Sequence, residues 1–197
     1  MNHSKLIAII ITMFITSCSH TKKRAGYEAT GKDIMIATQG KYSTEAGMKM
    51  IKLGGNAFDA ALAVSFVISV ERPQSTGIGG GGFMLYHQKG MKKPMALDFR
   101  ESAPIKGHSK MFLKNGEEVK NLSKDGILAG GVPGLVAGLM EVHKKFGSLS
   151  LETILEPSIT LSEKGFKVYP YLAKALKVKS KLLASFPATK KIFFKNG

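Results

Sequence analysis

One cysteine in 197 residues, Cys18, leaves an internal disulfide without a second half. Acid is scarce as well: 14 Asp and Glu stand against 29 Lys and Arg, a formal net charge of +15. Arginine is scarcer still, with Arg24, Arg72 and Arg100 the only three. No Arg cluster is available to grip phosphates, and no aromatic residues are interleaved with the lysines for base stacking. The charge therefore reads as solvated surface, not as a nucleic-acid face. The five histidines (His3, His20, His87, His108 and His143) lack ligand spacing, which argues against a metal site. No apolar run reaches the ~18 residues that a membrane span requires. Internal repeats and low-complexity tracts are also missing.

What is present begins with a leader. Lys5 precedes the apolar run LIAIIITMFIT, too short for a mature span and suited to the core of a signal peptide. Ile15-Thr16-Ser17-Cys18 follows, an aliphatic residue and two small ones before a Cys, the pattern of a lipobox. Residues 1–17 are expected to be a lipoprotein signal peptide, Cys18 the lipidated residue and 18–32 a polar tether. The plainer alternative is an ordinary signal peptide with an incidental Cys. Lipidation of this thiol would also remove it as a nucleophile.

The globular part is placed at 33–197. Ile34 to Ala37 is a strand candidate, and Ser43-Thr44 is expected to cap a helix that Gly54-Gly55 ends. Asn56 reads as the N-cap of a second helix, AFDAALAVSFVISV, with Asp59 at N3 as a capping acid. That helix is apolar almost all round, so it is expected in the core. Glu71 and Arg72 directly precede Pro73 and are expected to form local pairs. Gln74, Ser75 and Thr76 are candidates for lining a site. Phe83 to His87 and Met95 to Arg100 read as two strands of a hairpin. Gly130 to Gly134 opens a helix that Gly147 closes, and Ser150 caps another, with Pro157 expected to kink or break it. The tail from Tyr171 is Lys-rich and weakly helical in pattern. The closing KKIFFKNG reads as a strand heading into a turn, which raises the expectation of a longer protein.

The stretch STGIGGGGFM contains Gly77, Gly79 and Gly82 at the spacing of a dinucleotide-binding loop, with Asp98 near the position of a ribose-binding acid. Such a loop needs a strand before it and a helix after it, so that phosphate meets a helix N-terminus. Here a helix enters and the strand pattern Phe-Met-Leu-Tyr leaves. No Gly-Lys-Ser/Thr closes the run as a P-loop would. Residues with almost no side chain instead suit a close backbone crossing.

Three blocks in order carry a resemblance. STEAGMKMIKLGGNAFDAALAVSFVISVERPQSTGIGGGGFMLYH, ALDFRESAP and GGVPGLVAGLMEVHKKFGSLSLETILEPSITLSEKGFKV resemble the N-terminal part of the large subunit of γ-glutamyltransferases. The resemblance implies an α/β (α+β) fold, the four-layer αββα N-terminal-nucleophile hydrolase fold, with only its N-terminal portion here. It implies a precursor that cuts itself into large and small subunits. The new N-terminal Thr of the small subunit takes the γ-glutamyl group of glutathione as an acyl-enzyme and passes it to water or an amino acid, without metal or organic cofactor. Expected partners are that small-molecule substrate, the small subunit, and a membrane through the N-terminal lipid, with no nucleic acid. No counterpart of the Thr or its cleavage motif is found in these residues, so the fragment alone is expected to be inactive. One site residue carries over: Arg100 in FRESAP matches the Arg that clamps the substrate α-carboxylate, a task for bidentate donors that Lys cannot copy. The alternative for Arg100 is a structural ion pair with Asp98, Glu101 or a distant acid. The alternatives for the chain are a relative acting on another acyl donor, or a non-catalytic truncated lipoprotein.

Overall fold

The computed structural model describes residues 29–194. The apolar leader, Cys18 and most of the tether lie outside them. Residues 29–35 belong to a separate unit without helix or strand; the rest form a second unit beginning at Ile36. The strand expected over 34–37 does not form, and among the described residues no strand pairs with it.

Helix α1 spans Lys41–Lys52 and its N-cap is Gly40, not Ser43 or Thr44. Those two hydroxyls lie inside the first turn and donate back to the Gly40 carbonyl, each at 3.0 Å. The cap comes from Glu71, whose carboxylate accepts the N–H groups of Tyr42 (3.2 Å) and Ser43 (3.0 Å). A negative charge there satisfies orphan donors and meets the positive end of the helix. A Cβ at residue 40 would press on the Glu71 carboxylate, so a larger residue there would have to move the cap. Glu71 thus makes a long-range cap and not the expected local pair with Arg72.

Helix α2, Ala57–Glu71, begins as expected with a capping box between Asn56 and Asp59. Leu62 and Ala63 are fully buried, and Phe66 and Val67 nearly so, which places α2 in the core against α1 and two later helices. Asp59 is also fully buried. Besides the Asn56 N–H (2.8 Å), its carboxylate accepts the N–H groups of Ser148 (2.9 Å) and Leu149 (3.3 Å) and the Ser148 hydroxyl. Burial pushes its pKa up, but the hydrogen bonds from Ser148, Asn56 and Leu149 outweigh it and hold the pKa below the usual value. Asp59→Asn is expected to cost about 2 kcal/mol at neutral pH, by loss of charge-assisted hydrogen bonds. Because the folded pKa is depressed, this contribution is complete above about pH 4 and fades as pH falls through the folded value. Thermal melts of both proteins at pH 7 and pH 3 check this; equal melting at pH 7 would contradict it.

Strands β1 (Phe83–Tyr86) and β2 (Met95–Asp98) form the expected antiparallel hairpin, pairing Phe83 with Asp98 and Met84 with Leu97. Period-two alternation turns Met84, Tyr86 and Leu97 toward the helices and leaves Phe83 and Leu85 exposed on the other face. Phe58 of α2 meets Tyr86 edge-on at 5.4 Å and stacks on Phe146 at 4.4 Å. A second small hairpin, β3 (Leu113–Lys114) and β4 (Glu117–Glu118), turns on Asn115 and Gly116, both at positive φ. That is the Asn-Gly turn chemistry of a two-residue hairpin.

Helices α3 (Leu135–Phe146) and α4 (Leu151–Lys164) complete the core through Leu135, Leu139, Val142, Ile154 and Leu161. Ser150 caps α4 as expected. Pro157 lies inside a helix that runs on unbroken, with Ile154, Ser158 and Leu161 buried around it. The tail is more regular than its pattern suggests. Helix α5 covers Pro170–Ala184 and α6 Pro187–Phe193, each opened by a Pro whose missing N–H costs nothing in a first turn. A helix thus occupies residues 190–193 of the stretch expected to be a closing strand. Among the described residues no helix is long and apolar enough to cross a membrane.

Candidate functional site

Arg100 stands two residues past the end of β2, on the segment 99–102 that leaves the hairpin. Glycines press on this segment from two sides. On one side, Gly82 extends the hairpin ladder, exchanging hydrogen bonds with Phe99 at 3.0 and 3.3 Å. A Cβ on Gly81 would lie 2.6 Å from Phe99 O, 2.7 Å from Glu101 N and 2.9 Å from Arg100 C, all backbone atoms. On the other side, a Cβ on Gly134 would fall on the Phe99 carbonyl and lie 3.0 Å from Arg100 O. A Cβ on Gly131 would reach Glu101 Cβ at 3.0 Å, and one on Gly138 would enter the Phe99 ring. Between these glycines Ser102 and Val132 form a reciprocal bridge at 2.8 and 3.3 Å. The backbone that carries Arg100 is therefore clamped by two glycine clusters distant in sequence.

The first cluster also meets a helix N-terminus, which the local order of elements did not show. The N–H groups of Gly134 and Leu135, at the start of α3, both donate to the Gly80 carbonyl at 3.0 and 2.9 Å. The loop thus presents a carbonyl to this helix end and occupies donors that a phosphate would need. Gly77 and Gly79, two of the three fingerprint glycines, have open space where a Cβ would go. The tight position is Gly81, which the fingerprint leaves free. Asp98 is not placed as a ribose ligand: its Oδ1 accepts the backbone N–H of Arg100 at 2.9 Å.

The Arg100 side chain is exposed, with Cζ 6.0 Å from the Phe83 ring centroid. Among the described residues the ion pairs join Lys41 to Glu45, Lys49 to Glu156 and Lys145 to Glu141; none involves Arg100. The structural ion pair considered for it is not found. A planar, always-charged, uncompensated donor fork on a fixed backbone can bind a carboxylate in bidentate fashion.

The other candidates go elsewhere. Arg72 donates through Nη1 to Gln39 O at 3.0 Å and lies over the rings of Tyr169 (5.9 Å) and Tyr171 (5.4 Å). Gln74 is engaged by the Tyr169 hydroxyl at 2.9 Å. It lines a cavity of about 700 Å³ beside α5 and α6 whose walls include Leu172, Leu183 and Phe193. Ser75 and Thr76 are exposed and hold backbone turns to Arg72 O. Among the described residues no group of His, Cys, Asp and Glu is placed to hold a metal. Cys18 lies outside the described residues. Phe83 and the Gly131–Gly138 jaw were not singled out from sequence as parts of this site. The repeated glycines of GGVPG were visible, but nothing local says what they face.

The sequence model described as Gamma-glutamyltranspeptidase matches residues 43–197. Glutathione hydrolase 3 of Arabidopsis thaliana is 38% identical over 163 residues, which cover 83% of this chain and 25% of that protein. The glutathione hydrolase proenzyme of Pseudomonas aeruginosa is 43% identical over 145 residues, 73% of this chain and 26% of that one. Among solved structures, Helicobacter pylori gamma-glutamyltranspeptidase superposes with a TM-score of 0.82 at 39% identity, over 86% of this chain and 49% of that chain. The chain spans about a quarter of the length of these curated relatives. Its helices and small sheets are the N-terminal portion of the N-terminal-nucleophile hydrolase fold. The chain belongs to the γ-glutamyltranspeptidase family.

Proposed function

We propose that these residues are the N-terminal part of an exported γ-glutamyltransferase. The enzyme cleaves the γ-glutamyl amide of glutathione and related compounds and passes the acyl group to water or an amino acid. Arg100 clamps the α-carboxylate of the donor. The nucleophile is a Thr outside these residues, freed by self-cleavage of a precursor, and its own amine is the base. Cys18 carries lipid that holds the enzyme at a membrane facing the periplasm or cell surface. The observation that supports this reading most is the Arg100 guanidinium, exposed and without an ion-pair partner among the described residues, on a backbone that glycines immobilise.

The test is turnover of γ-glutamyl-p-nitroanilide by the full-length gene product containing this chain. Release of p-nitroaniline, accelerated by a dipeptide acceptor, is expected. A folded, processed product that releases none would overturn the reading. For the anchor, globomycin is expected to leave an uncleaved precursor of larger apparent size; an unchanged size argues against lipid on Cys18.

A further inference from the structure

We propose that Phe83 is a positioning residue for Arg100. Its ring holds the guanidinium in place while leaving it uncompensated for the substrate carboxylate. This inference rests on the reading of Arg100 as the carboxylate clamp.

Phe83 opens β1 and is 63% exposed, so burial in the described core does not explain a large apolar side chain there. Its cross-strand partner is Asp98, two residues before Arg100. The register therefore sets the ring beside the segment that carries the clamp, and Arg100 Cζ lies over it at 6.0 Å. A cation within about 6 Å of an aromatic centroid is attracted by the ring quadrupole.

Among the described residues neither of the two nearest acids in sequence forms an ion pair with the guanidinium. Asp98 accepts the backbone N–H of Arg100. Glu101 lies between the two glycine clusters, its Oε1 3.4 Å from where a Gly80 Cβ would be and its Cβ 3.0 Å from where a Gly131 Cβ would be. A carboxylate in place of the ring would hold the guanidinium more strongly, but it would occupy the donors that the substrate needs. The ring offers no competing oxygen. An Arg on a four-bond stem loses considerable rotamer freedom on binding, and a weak hold applied before binding lowers that cost. The arrangement favours donor binding and leaves the chemical step alone, so its signature is in KM.

The experiment uses the full-length enzyme and two donors: γ-glutamyl-p-nitroanilide and 4-aminobutyryl-p-nitroanilide, which lacks the α-carboxylate. Phe83→Leu is expected to raise KM for the first donor roughly three- to tenfold, with a much smaller change in kcat. It is also expected to narrow the preference for the first donor over the second, whereas a merely structural defect would lower both together. Phe83→Tyr is expected to restore KM. Site-specific replacement of Phe83 by mono-, di- and trifluorinated phenylalanine keeps the ring's shape and drains its quadrupole, so KM should climb with fluorine count even where Phe83→Leu fails to fold. Arg100→Met is the reference. A wild-type KM in Arg100→Met would overturn the clamp and this inference together. A raised KM there, with no response to Phe83→Leu or to fluorination, would overturn the role of Phe83 alone.

Discussion

In the full-length enzyme, Arg100→Lys is expected to lower kcat/KM for a γ-glutamyl donor about 30- to 150-fold, mostly through KM. The charge is kept in this variant, so the loss isolates geometry. A guanidinium gives a carboxylate two parallel donors in a fixed plane, while an ammonium gives a point charge on a flexible stem. Losing one charge-assisted hydrogen bond and its alignment costs about 2–3 kcal/mol, which corresponds to that factor. No acid among the described residues pairs with Arg100, so no existing ion pair offsets the change. Steady-state kinetics decide it. A loss below about threefold would mean that the carboxylate is not held in bidentate fashion by this residue.

The second large effect is expected at the glycines that clamp the segment. In Gly81→Ala the new methyl would stand within 2.9 Å of three backbone atoms of residues 99–101; in Gly134→Ala it would fall on the Phe99 carbonyl. Backbone cannot rotate away as a side-chain tip can, so the segment carrying Arg100 must move. We expect a cost of about 3 kcal/mol, a clearly lowered Tm and a raised donor KM in whatever full-length enzyme remains folded. Gly77→Ala and Gly79→Ala serve as controls. Neither position has positive φ or a neighbour within 4 Å, so both variants are expected to melt within about 2 °C of the parent. If all four variants melt alike, the clamped-backbone account fails.

This contrast explains what could be read from the sequence and what could not. The Asn56 cap and Asp59, the core helix α2 and the hairpin were legible, because each depends on residues close in sequence. The cap of α1 was misplaced because its acid, Glu71, comes from the far end of the next helix, while Ser43 and Thr44 offered a plausible local signal. The same limit hid half the site. STGIGGGGFM and GGVPG were both visible as glycine clusters. That they close on opposite sides of the Arg100 backbone is a tertiary fact without periodicity or local spacing to announce it. Pro157 was expected to disrupt its helix on propensity alone, and packing of Ile154 and Leu161 into the core overrides that preference. Asn115-Gly116 is itself a short-range hairpin signal, and it joins β3 to β4.

The central claim is that a glycine-clamped Arg100 receives the α-carboxylate of a γ-glutamyl group. Its most direct test is a crystal structure of the full-length enzyme with L-glutamate bound. The account predicts two guanidinium nitrogens of Arg100 at about 2.8–2.9 Å from the two α-carboxylate oxygens, with the 99–102 backbone where it stands now. An α-carboxylate bound by other groups, with the Arg100 guanidinium beyond hydrogen-bonding reach, would contradict it.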